Sequence, residues 1–270
     1  PSGTKKNISV EVENKNSCHR YSGVLISDVE VKESPDWLKK KLSSIGVKAI
    51  NNIVDITNFV LHQTGQPLHA FDADEISGDK VIVKNLAEGT VFVTLDEKEI
   101  KLHANDLMIC NADEPMCIAG VYGGSKSGVK SSTKNIFLES ACFNPSSTRK
   151  TSFGHGLRTD AAMHFEKGTD IENTIPSLVL AANLIGEIVG GKISSDVIDI
   201  CPEKKSATKI FLSWNKLNEI SGTKIPTQSV KTILLSLGFS IENENESGCN
   251  WIVPTFKTEV LRDVDVIEEE

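Results

Sequence analysis

Three polar, glycine-rich stretches hold the residue types best suited to chemistry in this sequence. The first carries Thr57, Asn58 and His69, the second carries glycines followed by Glu139, and the third carries Thr159. Bare glycine backbone lets a ligand approach closely, and hydroxyl, amide and imidazole groups can orient water. Glu139 ends an apolar run, so its carboxyl group should lie half buried and needs a partner. The stretches are 51–58 with 65–72, 119–124 with 138–140, and 155–161 with 165–168.

Each stretch also has a purely structural interpretation. Asp55, Thr57 and Asn58 are typical of helix caps and turns. The glycines could simply permit a tight turn with positive φ, and a lone histidine such as His69 is usually structural. The partner of Glu139 could be a ligand hydroxyl or an arginine. Two further carboxylates are expected to form ion pairs with Arg158 and Lys167, namely Asp160 and Glu166.

The sequence lacks the usual motifs of covalent and metal-dependent hydrolysis. It has no serine-hydrolase elbow, Walker loop, HExxH or GxGxxG pattern. The histidine spacing is unlike a zinc-binding helix. The six cysteines are scattered without a CxxC pair, which predicts reduced cytosolic thiols. A hydrolase built on this chain is therefore expected to use positioned water and polar groups, with no metal and no cofactor in this part of the protein.

The charge is acidic overall but uneven along the chain. The net charge is -8, whereas nucleic-acid-binding proteins usually carry a basic surplus. Residues 140–159 nevertheless contain no acidic side chain and include Arg149, Lys150, His155 and Arg158. Such a strip can hold a phosphate backbone on an acidic protein. The alternative is an ordinary solvated loop.

The apolar patterns around these stretches predict an α+β fold. A β-branched run predicts a strand at 24–31, and Ser34 predicts the cap of a helix whose Trp37, Leu38 and Leu42 face inward. Short β-like runs separated by turn residues predict an antiparallel sheet region at 80–140, and helical spacing predicts a helix over 171–189. A polar stretch with a proline predicts a domain boundary at 201–206.

The remaining residues predict a small second domain. It should contain a strand at 210–212, a helix at 228–237, a strand at 251–253 and the beginning of a helix within 260–270. The chain starts at Pro1 without a methionine and ends inside this last helix, so we expect a piece of a longer protein. No apolar run approaches the roughly 20 residues that a membrane helix needs.

The same stretches resemble the beta-subunit family of bacterial phenylalanine–tRNA ligases. One departure is Tyr122, where methionine or phenylalanine is common. The matching segments are CHRYSG (18–23), NNIVDITNFVLHQTGQPLHAFD (51–72), AGVYGGSKSGV (119–129), FLESACFNP (137–145), HGLRTDAAMHFEKGTD (155–170) and the closing 253–257 with 262–265. The resemblance covers essentially the whole chain. It implies an editing module at 1–202, formed by the subunit's third and fourth domains with antiparallel sheets and flanking helices. It also implies the winged-helix-like fifth domain, of nucleic-acid-binding type, at 203–270.

The resemblance implies a pocket that hydrolyses tyrosine wrongly attached to the phenylalanine tRNA. The expected catalytic residues are His69, Thr57, Asn58 and Thr159. The expected substrate-binding residues are Glu139, Gly120, Gly123 and Ala161. Contacts to the tRNA are expected from Arg149, Lys150 and Arg158. A synthetic pocket rejects an added hydroxyl only about a hundredfold, so a second site that recognises the hydroxyl through Glu139 makes physical sense.

The resemblance also implies what surrounds this part of the enzyme. Expected partners are the acceptor end of the phenylalanine tRNA and an alpha subunit, in a heterotetramer of two alpha and two beta chains. ATP and magnesium are expected for the full enzyme, with a cytoplasmic location. Two alternatives remain open: a non-catalytic RNA-binding scaffold, and a free-standing deacylase that acts in trans.

Overall fold

The chain folds as two compact units. The computed structural model describes residues 6–203 and 207–269, and the units are Pro1–Glu203 and Lys204–Glu270. The predicted boundary at 201–206 lies partly outside the described residues, as do the chain ends Pro1 and Glu270. In the described part, no helix is long and apolar enough to cross a membrane.

The first unit mixes short strands with five α-helices. Its strands are β1 (Ser9–Val12), β2 (Cys18–Ser27), β3 (Leu68–Asp72), β4 (Lys80–Asn85), β5 (Val91–Val93), β6 (Glu99–Lys101), β7 (Leu107–Cys110), β8 (Pro115–Ile118), β9 (Tyr122–Gly123), β10 (Ile136–Phe143), β11 (Lys192–Ile193) and β12 (Ile198–Ile200). Its helices are α1 (Asp36–Ser44), α2 (Asn52–Thr64), α3 (Pro145–His155), α4 (Asp160–Lys167) and α5 (Thr174–Val189), with short 3-10 helices at Ala73–Glu75, Ser77–Asp79 and Ile171–Asn173.

Two sheets form the framework of this unit. One has the order β1-β4-β7-β8-β9, in which β1 pairs with β4 in parallel and the other pairs are antiparallel. The other has the order β11-β2-β10-β3, with β12 also pairing with β2, and is antiparallel throughout. Strands β5 and β6 form a separate antiparallel pair. The predicted α+β class with antiparallel sheets is confirmed.

The central strand β10 separates two hydrophobic clusters. All eight of its residues are buried, and successive side chains of a strand point to opposite faces. Ile136 and Leu138 belong to the cluster that includes residues of α1, α2 and α5. Phe137, Ala141 and Phe143 belong to the cluster shared with β4, β7 and β8 of the first sheet. Glu139 lies on this second face, so its carboxyl group points into the layer between the two sheets.

The structure corrects three predictions near α1. Ser34 does not cap this helix: its N-cap is Pro35, with no side-chain hydrogen bond, and the Ser34 hydroxyl donates to Asp55 at 2.5 Å instead. Trp37 is 44% exposed and packs edge-on against Phe59, with ring centroids 5.6 Å apart. Leu38 faces inward as predicted. The preceding strand runs from 18 to 27 instead of 24 to 31.

The second unit is a small α+β structure with its own core. Its three-stranded antiparallel sheet has the order β13-β15-β14. Trp251 is fully buried and lies edge-on to Phe239. The elements are β13 (Lys209–Ser213), α6 (Trp214–Ser221), α7 (Thr227–Ser236), β14 (Ser240–Asn245), β15 (Gly248–Ile252) and α8 (Asp263–Glu268). The predicted strands and helices of this region are therefore present, with shifted ends.

Candidate functional site

Glu139 lies at the centre of a row of residues that crosses three strands. In the register of the sheet it pairs with Gly23 on β2 and with His69 on β3. Directly paired residues of antiparallel strands point to the same face and lie about 5 Å apart at Cβ. The structure therefore brings together the acid and the histidine that the sequence placed in separate stretches.

The Glu139 carboxyl group is buried and is held by a phenol. Only 4% of the residue is exposed, and Oε2 accepts a hydrogen bond of 3.1 Å from the hydroxyl of Tyr21. Burial raises the pKa of Glu139 to about 8, and the Tyr21 hydrogen bond counteracts only part of that effect. A group with this pKa is mostly protonated at neutral pH. The side chain that was expected to be a half-buried carboxylate is therefore a fully buried, mostly neutral acid.

His69 presents an unpaired nitrogen in the same layer. Its Nε2 is buried and has no hydrogen-bond partner among the described residues. Burial lowers the pKa of His69 to about 4, so the ring is neutral at pH 7. The ring packs edge-on against Phe71 at 4.4 Å between centroids. A Cβ atom placed on Gly123 would lie 3.4 Å from Cε1 of His69, so bare backbone of β9 faces the imidazole.

The other glycine of the predicted set faces an aromatic pair. Gly120 has φ +68, and a Cβ atom there would lie 2.8 Å from both Phe143 and Phe165, whose rings are 5.0 Å apart. Thr159 joins this glycine segment to α4: its Oγ1 donates to the carbonyl of Val121 at 2.9 Å and accepts from the amide of residue 162 at 3.1 Å as the helix cap.

Ala161 lies on α4, and Thr57 and Asn58 lie on α2. Ala161 is partly buried and packs against the hydrophobic cluster that includes Phe137 and Phe143. Thr57 is buried in α2, where its hydroxyl donates to the carbonyl of Val54 at 2.8 Å. The Asn58 side chain, also on α2, hydrogen-bonds no residue that the structure describes. Neither α2 residue is thus tied to Glu139 or His69 by a hydrogen bond.

The predicted basic strip is an exposed patch with an aromatic side chain at its centre. Phe153 is 57% exposed, and the guanidinium carbons of Arg149 and Arg158 lie 5.5 and 4.8 Å from its ring centroid. A shallow hollow of about 350 Å³ is lined by Ser146, Arg149, Lys150 and Phe153. Arg158 also lies 3.5 Å from Glu166, as expected for an ion pair. We call Arg149, Lys150, Phe153 and Arg158 the basic patch.

His155 does not belong to the basic patch. Its side chain is only 6% exposed, and Nε2 lies 2.6 Å from a carboxylate oxygen of Asp106, itself 3% exposed. Its ring stacks on His103 with centroids 4.8 Å apart, and Thr151 donates to Asp106 at 2.8 Å. His155 therefore anchors the end of α3 to the loop before β7.

The sequence did not predict the side-chain pairs that lie far apart in the chain and contact each other in the fold. The Tyr21–Glu139 and His155–Asp106 pairs join residues 118 and 49 positions apart. Tyr21 lies in the CHRYSG segment, but the sequence predicts no role for its side chain. In residues 6–203 and 207–269, no group of three or more histidine, cysteine or acidic side chains could hold a metal ion.

The site combines a hydroxyl-binding acid, a neutral imidazole and glycine backbone. Such a set can recognise a buried hydroxyl group and orient water beside an ester. An activated ester requires little more than positioning and a donor for the developing oxyanion.

Comparison with known proteins assigns the family. The family model of the B3/4 domain matches residues 17–190, and that of the tRNA synthetase B5 domain matches residues 210–269. The chain is 50% identical over 262 residues to the phenylalanine–tRNA ligase beta subunit of Bacteroides thetaiotaomicron and 42% identical over 262 residues to that of Protochlamydia amoebophila. These alignments cover 97% of this chain but 32% and 33% of the relatives, so the chain spans about a third of their length.

A solved N-terminal fragment of the phenylalanyl-tRNA synthetase beta-subunit from Pyrococcus horikoshii is 13% identical, with a TM-score of 0.46 over 100% of this chain and 76% of that one. The resemblance predicted from the sequence segments is confirmed by the two domain matches and the curated relatives. Since the first match covers 17–190, well over half of the sequence, the chain belongs to the B3/4 domain family and carries a tRNA synthetase B5 domain after it.

Proposed function

We propose that this chain is part of a phenylalanine–tRNA ligase beta subunit and that its first unit hydrolyses the ester of Tyr-tRNA(Phe). The observation that carries the proposal is the row of Glu139 and His69. A buried acid that already accepts a phenol hydroxyl lies beside a neutral histidine with an unpaired nitrogen. The similar proteins are named phenylalanine–tRNA ligase beta subunits, which supports the assignment of the chain to that subunit.

Glu139 supplies the selection between the two amino acids. Tyrosine differs from phenylalanine by one hydroxyl group, and a site built to bond a hydroxyl rejects the analogue without it by about 10⁴–10⁵. With phenylalanine in the pocket, a buried polar oxygen of Glu139 would be left without a partner. The pocket would therefore destroy Tyr-tRNA(Phe) and spare the correct product.

His69 and the glycine backbone supply the hydrolytic part. A neutral imidazole can accept a hydrogen bond from water at Nε2, which has no other partner among the described residues. Gly123 exposes backbone beside the imidazole of His69, while Gly120 lets the rings of Phe143 and Phe165 pack directly against the backbone. Thr159 keeps the glycine segment in place through Val121. Thr57 and Asn58 remain proposed contributors from α2.

The basic patch is proposed to hold the acceptor end of the tRNA. Three cations face solvent on α3 and the loop after it, and an exposed aromatic ring lies among them. Cations bind phosphates regardless of base identity, whereas an aromatic ring can stack on an unpaired base. The second unit, the B5 domain at 210–269, is proposed as a further nucleic-acid contact.

The remaining functions of the ligase are proposed to lie outside this chain. Amino-acid activation with ATP and magnesium would belong to the complete enzyme, in a heterotetramer of two alpha and two beta chains in the cytoplasm. Ala161, on α4, would form part of the pocket wall.

A deacylation assay tests the proposed function. The complete ligase should release tyrosine from Tyr-tRNA(Phe) well above the spontaneous rate and should leave Phe-tRNA(Phe) nearly intact. A rate equal to the spontaneous one would favour the non-catalytic scaffold. Activity of the chain without its partner subunit would favour a deacylase that acts in trans.

A further inference from the structure

Tyr21 and Glu139 are diagonal neighbours on the inner face of the second sheet. Tyr21 pairs with Ala141 in the register of β2 and β10, and Glu139 lies two residues from Ala141 on the same face. Aromatic side chains can span such a diagonal distance. Tyr21 is fully buried, and its hydroxyl donates to Oε2 of Glu139 at 3.1 Å.

Gly23 explains why this contact comes from the diagonal position. Gly23 is the direct partner of Glu139 on β2 and has no side chain to offer. The Phe137 ring covers it so closely that a Cβ atom would overlap the ring. Among the residues that the structure describes, Tyr21 is the side chain that hydrogen-bonds Glu139.

The two oxygens of Glu139 are therefore not equivalent. Oε2 is occupied by Tyr21, while Oε1 accepts no hydrogen bond from any residue in the described part of the chain. A carboxyl group without such a tether can exchange its oxygens by rotation about its last side-chain bond. The contact fixes which oxygen remains available to a ligand.

We propose that Tyr21 is a positioning residue for editing: it holds one oxygen of Glu139 and thereby presents the other to the phenol of a mischarged tyrosine. This inference rests on the proposed function, in which Glu139 recognises that hydroxyl group. In the filled pocket, two phenols would share one carboxyl group, one from the protein and one from the substrate. Burial raises the pKa of Tyr21 well above its ordinary value, so Tyr21 remains a donor.

The contact also opposes the effect of burial on the charge state of Glu139. A hydrogen bond donated to a carboxylate favours its ionised form, so loss of the Tyr21 hydroxyl raises the pKa of Glu139 further. The ionised acid is the stronger acceptor. The other titratable groups around it are His69 on β3, Cys18 on β2 and Cys117 on β8, and burial raises the pKa of both thiols. Neutral thiols and a neutral imidazole place no charge beside Glu139, so the Tyr21 hydrogen bond is the contact that opposes the effect of burial on its pKa.

The test is a double-mutant cycle of Tyr21→Phe and Glu139→Gln in the complete ligase. The readout is the ratio of the deacylation rates of Tyr-tRNA(Phe) and Phe-tRNA(Phe) between about pH 6 and 9, after subtraction of spontaneous hydrolysis. Taking the ratio cancels any effect on water activation, because such an effect changes the deacylation rates of both esters by the same factor. Tyr122→Phe is the matched control, since it removes the hydroxyl of the second of the two tyrosines, which hydrogen-bonds no described residue.

We expect Tyr21→Phe to lower the ratio about three- to tenfold at neutral pH, the range typical of one neutral hydrogen bond. The rise of the ratio with pH should move to higher pH, and the substitution should have no effect in the Glu139→Gln background. Tyr122→Phe should match the parent enzyme.

An unchanged ratio and pH profile in Tyr21→Phe would overturn the positioning role while leaving the proposed function intact. An equal loss in both Glu139 backgrounds would do the same, because it would show simple packing damage. If the parent ligase deacylates neither ester above the spontaneous rate, the proposed function fails and this inference falls with it.

Discussion

Glu139 and His69 are direct cross-strand partners on β10 and β3, so a buried acid and a half-buried histidine share one face of the sheet. Burial shifts their pKa values in opposite directions, to about 8 for Glu139 and to about 4 for His69. Both groups are consequently mostly neutral at pH 7. The pair therefore places no charge in this layer at pH 7, where an unpaired buried charge would be costly.

The pair should leave a signature in the pH dependence of stability. Native Glu139 keeps a proton that the unfolded chain loses above about pH 4.3. Its contribution to the free energy of unfolding therefore falls as the pH rises to about 8. Native His69 stays unprotonated between about pH 6.5 and 4, where the same histidine in the unfolded chain binds a proton. Its contribution to the free energy of unfolding therefore falls as the pH drops to about 4. Below about pH 6.5 the two residues change the free energy of unfolding in opposite directions as the pH rises. Above about pH 6.5 only Glu139 of the pair still changes it.

We therefore expect the free energy of unfolding of the first unit to fall by about 2 kcal/mol between pH 6.5 and 8. Urea unfolding monitored by circular dichroism at several pH values measures this change in the free energy of unfolding. Glu139→Gln should remove this decline, whereas His69→Gln should preserve it and should remove the opposing slope at lower pH. A decline of the same size in Glu139→Gln would show that other groups cause it.

Gly120→Ala should destabilise the first unit. The residue has φ +68, and the new methyl group would lie 2.8 Å from both Phe143 and Phe165. Strain and overpacking together should reduce the free energy of unfolding by about 2–4 kcal/mol. Gly190→Ala is the control, because Gly190 has φ +80 but no atom within 4 Å of the new Cβ. Equal losses in the two variants would mean that the aromatic pair adapts without cost.

Ala161→Trp should block the pocket by bulk. Ala161 packs against the cluster that includes Phe137 and Phe143, and a large ring there would take the space proposed for the substrate. Deacylation of both esters should be lost while aminoacylation with phenylalanine persists. Met163→Trp, at a position 37% exposed on the same helix, is the control and should retain deacylation. Normal deacylation by Ala161→Trp would place the pocket elsewhere.

Neutralising the basic patch should weaken tRNA binding and flatten its salt dependence. Each lost phosphate contact should reduce the slope of log affinity against log salt by about one. The variant is Arg149→Gln with Lys150→Gln and Arg158→Gln, measured by tRNA binding at several salt concentrations. The control replaces the exposed Lys40, Lys41 and Lys48 with glutamine, which removes the same number of positive charges at positions distant in sequence from the basic patch. An unchanged slope, or equal effects of both sets, would identify the patch as an ordinary solvated surface.

Local patterns were sufficient to predict the apolar elements. The buried strand around Ile136 and the helix that ends before Gly190 follow from runs and spacing of apolar residues. Helix α2 was not predicted, because its polar residues resemble caps and turns. In the structure Asn51 caps that helix, and Asp55 is buried with bonds from Ser34 and the amide of Ile50. Polar residues that are satisfied inside a helix look like loop residues until their partners are known.

The site could be predicted only as separate pieces. The sequence segments indicated Glu139, His69 and the glycines, but strand register decides that Glu139 faces His69. A shift of one residue would have placed Glu139 on the opposite face. The exclusion of His155 from the basic patch depends on Asp106, 49 residues away. Spacing along the chain carries no information about such pairs.

The most direct test of the central claim is deacylation of Tyr-tRNA(Phe) by the complete ligase with Glu139→Ala, beside the parent enzyme. Loss of the hydroxyl acceptor should slow this reaction by about one to two decades, the equivalent of about 1.5–3 kcal/mol. Deacylation of Phe-tRNA(Phe) should stay low or rise slightly, and aminoacylation with phenylalanine should be unchanged. If Glu139→Ala deacylates Tyr-tRNA(Phe) at the parent rate and with the parent preference, Glu139 does not recognise the hydroxyl group, and the account of the site is wrong.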